Sequence, residues 1–355
     1  MLSPRSSISE EKQDEVKIKF EKMVKLEFEH RQSGHCESGV TRNLLHYYNF
    51  NISEPMAFGI GAGLFFSYLP FLKMQHAPTT SFRVWPGQVF ERATKQLGVK
   101  TAIHTFRNPK DSMDKLNEIL EQGYPVGLQV GTFHLPFFPP EYRMHYNMHN
   151  MIVYGYDNGT YFISDTLMEN LVEINYEDLM RVRFAKGAFA PQGRMYYPTF
   201  VPKDIDIKPA IIKGIRKTAN NMTGIPFPLI GTKGIRYLAS RMRKWEKKLG
   251  PEKASYYLGQ VLRMEEEVGT AGAGFRFIFG AFLDEASTVL KQDWLKEVSF
   301  EMGETANKWR EFSYFGSRNC KKRGKVDQSY DFLADMLLDI ANREEKIFRK
   351  LAKIE

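Results

Sequence analysis

Strand-forming patterns in this chain stop near residue 201, and the sequence beyond that point has helical periodicity almost throughout. Before it, helical segments precede four short runs rich in β-branched and aromatic residues. These predicted strands span 125–130, 151–156, 161–165 and 194–201. A tight turn at Asp157-Asn158-Gly159 joins two of them antiparallel. The order predicts an α+β domain, in which helices precede an antiparallel sheet, followed by an all-helical domain.

The chain has 355 residues, which is more than one ordinary hydrophobic core accommodates and fits two domains. We predict a mobile polar tail at 1–20, an α+β domain at 21–201 and a linker at 202–208. The helical domain is expected at 209–355. Its helices are predicted at 209–221, 230–249, 251–268, 275–290, 292–313 and 327–353.

Composition places the chain among ordinary globular proteins, with 43% hydrophobic and 26% charged residues. Its two cysteines cannot form a disulfide framework, and no segment is apolar and long enough to span a bilayer. The N-terminus is polar and mixed in charge, unlike a secretory signal. We therefore expect a cytoplasmic protein with reduced thiols and no membrane partner.

The net charge of +8 lies entirely in residues 201–355, since the first 200 residues sum to zero. A basic second half is compatible with an anionic partner, and equally with a solvated helical surface. We do not expect nucleic acid as the partner, because the sequence contains no zinc finger or other nucleic-acid-binding signature.

The most informative single residue is Cys36, where the turn at Ser33-Gly34 leads into a helical pattern. A thiol in the first turn of a helix is exposed to the positive end of the helix dipole, which favours the thiolate. His149 stands at the entry to the strongest predicted strand, where a general base would be held rigidly. Asp165 ends the next strand and is a candidate to orient that imidazole.

The strand register decides whether these three residues meet. A strict two-residue turn would place Asp165 on the face of the sheet opposite His149, whereas a longer loop or a bulge would place them on one face. A Cys36–His149–Asp165 set requires the second geometry.

Neighbouring residues are candidates for the oxyanion hole and pocket. The Cys36 amide is one possible donor, with the Gln32 or Ser33 side chain as a weaker second. For His35 a structural or pocket-shaping role is favoured over base catalysis, because adjacent side chains at a helix start diverge. The full set of candidates is Gln32, Ser33, His35, Glu37, His145 and Tyr146.

Metal binding by His145 and His149 is disfavoured, because Tyr146 occupies the position where a zincin motif has glutamate. We therefore expect no metal. These residues predict a thiol-dependent hydrolase or acyltransferase, with a non-catalytic binding scaffold as the remaining alternative.

Several motifs resemble the butirosin biosynthesis protein H family. In the first half they are the segments 34–38, 53–64, 135–138, 145–149 and 155–157, and in the second half 223–226, 272–277 and 282–286. The resemblance implies a papain-like N-terminal domain with a companion helical domain. It also implies that Cys36 is the nucleophile, His149 the base and Asp165 the orienting acid.

The family's best-known member moves an acyl chain from an acyl carrier protein thioester to an aminoglycoside amine. By resemblance this chain would be an acyltransferase of specialised-metabolite biosynthesis, with a phosphopantetheine-linked thioester as donor, a small-molecule amine as acceptor and no bound cofactor. One departure is Thr132-Phe133-His134, where family members often carry Asp and Tyr, and it bears on the acceptor. A homodimer is possible. The basic residues expected to dock an acidic carrier are Arg241, Arg243, Lys244, Lys247 and Lys248, with the basic run from Lys321 to Lys325 as the alternative.

Overall fold

A computed structural model describes residues 23–268, 272–321 and 329–355. The predicted tail at 1–20 lies outside this range. The strands are β1 (Val24–Lys25), β2 (Leu64–Met74), β3 (Ala77–Arg83), β4 (Lys100–His104), β5 (Val126–Val130), β6 (His149–Asp157), β7 (Thr160–Ser164), β8 (Val172–Asn175) and β9 (Met195–Phe200). The α-helices of the first half are α1 (Cys36–Tyr47), α2 (Glu54–Ile60), α3 (Gln88–Gln96), α4 (Pro109–Glu121) and α5 (Tyr176–Arg183). Those of the second half are α6 (Lys208–Ala219), α7 (Gly231–Met242), α8 (Trp245–Leu249), α9 (Pro251–Glu266), α10 (Arg276–Leu290), α11 (Asp293–Cys320) and α12 (Tyr330–Leu351).

An antiparallel sheet forms the centre of the N-terminal half. Within the described part of the chain its strand order is β4-β9-β5-β6-β7-β8, and β1 also pairs with β6. The four strands predicted from sequence correspond to β5, β6, β7 and β9. The predicted α+β architecture, with helices before the sheet and helices alone after it, is confirmed.

Helix α1 packs on one face of this sheet. Val40 and Leu44 of the helix lie in a small apolar cluster with Ile152 of β6 and Tyr196 of β9. The neighbouring β6 residue Val153 belongs to the cluster on the opposite face, which includes α4. Side chains alternate along β6, so the two clusters lie on opposite faces of the sheet. The contacts on the first face hold α1 beside the N-terminal end of β6.

A two-stranded hairpin, β2–β3, joins the two halves of the protein. Leu64, Phe66 and Tyr68 lie in the hydrophobic cluster that also contains the helices after residue 208. Phe66 and Phe82 contact Trp309 of α11, with ring centroids 6.1 and 5.2 Å apart. The helical half is thus packed onto the first half through a shared core. None of the described helices is both long and apolar enough to cross a membrane.

Candidate active site

Cys36 is the first residue of α1, and its side chain is only 2% exposed. The preceding residue, His35, is the N-cap, and its Nδ1 lies 2.9 Å from the Ser38 hydroxyl and 3.3 Å from the Ser38 amide. Within the described residues the Cys36 amide has no protein acceptor, as expected for the first turn of a helix. The thiol therefore lies at the positive end of the helix dipole, as the sequence pattern predicts.

The structure brings His149 and Asp165 together. His149 begins β6, and Asp165 directly follows β7. His149 Nε2 lies 2.6 Å from Asp165 Oδ2, and both side chains are buried. Cys36 and His149 line the same cavity, and each shifts the pKa of the other. Since Nε2 is occupied by the carboxylate, Nδ1 is the ring nitrogen that remains for the thiol.

A β-bulge makes this arrangement possible. The strands β6 and β7 join through a two-residue turn, and near it Gly155 lies opposite Phe162. Beyond the irregularity Ile152 lies opposite Ser164, so the pairing has moved by one residue. A one-residue change transfers every following side chain to the other face. The carboxylate after β7 consequently lies on the same face as His149.

The electrostatics favour a charged thiolate and imidazolium. Burial alone would lower the pKa of His149, but the charge and hydrogen bond of Asp165, with a further contribution from Cys36, raise it to about 10. Burial alone would raise the pKa of Cys36, but the hydrogen bond and charge of His149, together with the charge of Arg83, lower it. Each charge stabilises the other, so the pair is ready for nucleophilic attack near neutral pH.

Two candidates next to the thiol have a supporting position. Glu37 is buried, pairs with Arg83 of β3 and accepts hydrogen bonds from the amides of Val89 and Phe90 at the start of α3. The His35 ring lies 2.8 Å from Arg83 Nη1. Burial first, and then the Arg83 charge, lower the pKa of His35. A neutral His35 and an ion-paired Glu37 therefore anchor the start of α1, in line with the structural role favoured for His35.

The two proposed side-chain donors lie elsewhere. Gln32 is exposed, and its carbonyl accepts a hydrogen bond from Arg42. Ser33 packs so closely against α1 that a Cβ at Gly39 would overlap its side chain, and its amide donates to the Thr166 carbonyl. Neither residue lines the cavity at the thiol. The turn at Ser33-Gly34 faces α1. The side chains of Gln32 and Ser33 therefore do not reach the cavity in which an oxyanion would form.

The remaining two candidates separate as well. His145 is exposed and stacks on Phe133, with ring centroids 4.1 Å apart, so it does not share a face with His149. Tyr146 is buried and forms a side-chain hydrogen bond with Arg83. Burial is the main reason that the pKa of Tyr146 is raised. Tyr146 is thus a neutral wall residue of the site.

Asn150 is a site residue that the sequence analysis did not identify. Its Nδ2 lies 3.7 Å from Cys36 Sγ, and its Oδ1 accepts a 2.7 Å hydrogen bond from the Tyr196 hydroxyl. The side chain is buried, so this orientation is fixed. The sequence offered one signal for it. Asn150 directly follows His149 in β6, and successive side chains of a strand face opposite sides of the sheet.

Two cavities adjoin each other, and the thiol lines the first of them. The catalytic cavity has a volume of about 260 Å³ and is lined by Cys36, His149, Thr132 and Glu267, among others. A second cavity of about 130 Å³ is mostly apolar and lies against the β2–β3 hairpin. Both are lined by Tyr146 and Val268, so they adjoin at those residues. Residues of the helical half, Glu267 and Val268, therefore help to enclose the site.

Residues 35–166 match the family described as butirosin biosynthesis protein H, N-terminal. This part of the chain is therefore similar to the N-terminal domain of that family. Residues 177–351 match a domain of unknown function, DUF4872. The resemblance predicted from sequence is therefore confirmed. The second match begins within α5, ahead of the boundary predicted at 202–208, which stays a prediction.

Among solved structures, the chain resembles a protein described as a C39-like peptidase from Bacillus anthracis. The identity is 17% and the TM-score 0.38, with coverage of 52% of this chain and 100% of that one. No curated protein matches the chain. In residues 35–166 a helix-borne cysteine lies against an antiparallel sheet that carries the histidine. This arrangement agrees with the papain-like domain that the resemblance predicts.

Proposed function

We propose that this protein is an acyltransferase that moves an acyl group from a carrier-bound thioester to an amine through an acyl-enzyme on Cys36. The thiolate attacks the thioester carbonyl, a new thioester forms at Sγ, and the carrier's phosphopantetheine thiol leaves with a proton from His149. The amine then attacks the acyl-enzyme, His149 takes its proton, and the amide leaves as the thiolate is restored.

The observation that carries this proposal is the buried, charged Cys36–His149–Asp165 set, whose thiol and imidazole line one cavity, with a second, apolar cavity adjoining it at Tyr146 and Val268. A two-substrate reaction needs room for both an acyl group and an acceptor within reach of one nucleophile. Burial of the thiol supports amide formation over hydrolysis, because water has to be excluded from the acyl-enzyme.

Two donors close to the sulfur are candidates to stabilise the oxyanion that forms in each attack. Within the described residues the Cys36 amide has no acceptor. Asn150 Nδ2 donates one hydrogen to the Met148 carbonyl at 3.1 Å and directs the other toward Cys36 Sγ at 3.7 Å. Both groups are held before the substrate arrives, which is the condition for electrostatic stabilisation of a transition state. Asn150 thus takes the place that the sequence analysis gave to Gln32 or Ser33.

The catalytic cavity also suits a cationic acceptor. Glu267 brings a carboxylate to its rim, and although it pairs with Arg263 at 3.5 Å, it is exposed and an ammonium group on the acceptor would compete for it. Thr132 lines the same cavity and donates a hydrogen bond to the Met144 carbonyl. The segment 132–134, which departs from the family pattern, therefore borders the cavity proposed for the acceptor. Thr132 is a candidate residue for selecting the acceptor.

The basic docking surface proposed for an acidic carrier is narrower than the sequence suggested. Arg243 is already paired with Asp331 and Asp335. Lys244, Lys247 and Lys248 are exposed, Arg241 is half-buried, and these four residues carry the remaining positive charge. The alternative basic run at 321–325 lies outside the described residues from 322 onward. Replacing Lys244, Lys247 and Lys248 by glutamate should slow turnover of a carrier-bound donor and spare a small thioester. Equal effects on both donors would refute this surface.

The function itself is tested by intact-protein mass spectrometry after mixing the protein, or its Cys36→Ala variant, with acyl thioesters. We expect a gain of one acyl group, absent in the variant, and its transfer to an added amine as an amide. Release of free acid at the same rate with and without amine would instead identify a thiol hydrolase. The absence of any adduct with small and carrier-bound thioesters would refute acyl transfer.

A further inference from the structure

The second cavity is lined mostly by apolar side chains, so it suits a compact apolar group. On β2 the alternate residues Phe65, Ser67 and Leu69 line it, while Phe66 and Tyr68 face the shared hydrophobic core. The hairpin thus presents one face to the core and the other to the cavity. Phe275, from the helical half, adds a further apolar wall.

The dimensions of this cavity limit what it can hold. Its volume of about 130 Å³ is close to that of an engineered apolar cavity, about 150 Å³, that binds one benzene molecule. Its position is as informative as its size. Met148 lines it, and the Met148 carbonyl lies 4.0 Å from Cys36 Sγ. A chain attached to the sulfur therefore has the cavity within reach.

The charges nearby are already satisfied. Arg83 lines the cavity, but its guanidinium is engaged by Glu37, His35 and the Val84 carbonyl. A carboxylate or phosphate on the ligand would have to compete with Glu37 for it. The adjoining catalytic cavity, with Glu267 at its rim, is the more polar of the two. The apolar end of a substrate therefore gains most by leaving the catalytic cavity for the second one.

We propose that the second cavity is the acyl-chain pocket, and that it selects an uncharged aliphatic or aromatic acyl group of about six carbons. This inference rests on the proposed function, because it takes Cys36 as the site of acylation. Tyr146 and Val268, which border both cavities, mark the point where the chain passes from one to the other.

The pocket is tested with methyl, hexyl and dodecyl methanethiosulfonates in a Cys320→Ser background. In this reaction the Cys36 thiolate forms a disulfide with the S-alkyl group and methanesulfinate leaves, so no thioester chemistry is presupposed. Rates are read by intact mass and normalised to those of free cysteine. We expect the hexyl reagent to exceed the methyl reagent by about tenfold or more, from burial of its methylenes, and the dodecyl reagent to fall below hexyl.

Two variants change the pocket in opposite directions. Ser67→Leu fills it and should lower the hexyl-to-methyl ratio at least about threefold, with the methyl rate kept within about twofold. Thr80 lines the cavity, and within the described residues its buried hydroxyl has no hydrogen-bond partner. Thr80→Val removes that hydroxyl at constant shape, so the ratio should stay equal or rise. The exposed Ser240→Leu, on α7, is the matched control and should leave the ratio unchanged.

A hexyl-to-methyl rate ratio near one in the unmodified pocket would overturn the inference. So would a ratio that Ser67→Leu leaves unchanged, or one that Thr80→Val lowers. Parallel acylation with acetyl and hexanoyl N-acetylcysteamine thioesters separates the two proposals. Acylation by both at equal rates would refute the pocket and leave acyl transfer standing. A clear alkyl preference without acylation by any thioester would refute acyl transfer and leave a pocket of another thiol enzyme.

Discussion

Replacing Asp165 by asparagine should convert Cys36 from a reactive thiolate into an ordinary buried thiol. The carboxylate is buried and 2.6 Å from His149 Nε2, and its Oδ1 accepts a hydrogen bond from the Leu167 amide. Asparagine preserves the shape and that second hydrogen bond, so the turn after β7 is retained. What it removes is the negative charge that holds the imidazolium.

The size of the effect follows from the pKa of His149. Its rise from an ordinary 6.5 to about 10 corresponds to about 5 kcal/mol in favour of the imidazolium. Asp165 is the largest cause of that rise, and burial acts against it. Without the carboxylate, burial dominates and the imidazolium is lost near neutral pH. The pKa of Cys36 must then rise, and its reactivity at pH 7.5 should fall by about 10- to 100-fold.

The assay is the pH dependence of iodoacetamide alkylation at Cys36, followed by mass in a Cys320→Ser background. The intact site should react at a nearly constant rate from neutral pH until His149 deprotonates near pH 10. In Asp165→Asn the rate should climb steadily with pH over the same range, as for an isolated thiol. Asp157→Asn, at the far end of β6, is the matched control, and equal melting temperatures would exclude unfolding as the cause.

A variant that keeps the flat profile would refute this reasoning. Such a result would mean that the helix dipole and Arg83 stabilise the thiolate without the imidazolium. A rate that drops equally at every pH, with an unchanged profile, would equally contradict it, because it would indicate a loss of access to the sulfur and no change in its charge.

Two further predictions concern the packing that supports the site. Gly59→Ala should destabilise the protein by about 1–3 kcal/mol in urea unfolding, because its Cβ would overlap the Phe282 ring where α2 packs on α10. Gly259→Ala, in α9 with open space around it, should stabilise by about 0.5–1 kcal/mol, and a loss there comparable to that at Gly59 would refute the packing explanation. Glu37→Gln should cost about 3–5 kcal/mol, because it leaves the Arg83 charge buried without its partner. An unchanged urea midpoint would show that the pair contributes no net stability.

The sequence was sufficient to nominate Cys36, His149 and Asp165, because each stands at the end of a regular element with a recognisable pattern. It was not sufficient to show that they meet. The bulge in β6 lies next to Gly155, whose Cα is approached closely by the backbone of β1 at Val24. That contact joins residues far apart in sequence, so no local pattern near the turn reports it.

The β2–β3 hairpin was missed for a different physical reason. The apolar, glycine-rich segment 52–66 has the pattern of one buried helix, yet α2 ends at Ile60 and β2 begins at Leu64. In the first half of β2, at 64–69, both faces are largely covered, one by the shared core and the other at the second cavity. A strand covered on both faces has no alternation of apolar and polar residues, and periodicity alone cannot distinguish it from a buried helix.

That hairpin also explains why the helical half belongs to the active site. Phe82 packs on Trp309 of α11, and the next residue, Arg83, is the last of β3. Arg83 holds Glu37 and the His35 ring, the two residues on either side of the nucleophile. A continuous series of contacts therefore runs from the centre of the helical core to Cys36. Separated from the helices, the hairpin would expose one apolar face to water and lose the support that fixes Arg83. The geometry of the thiol is therefore a property of both halves together.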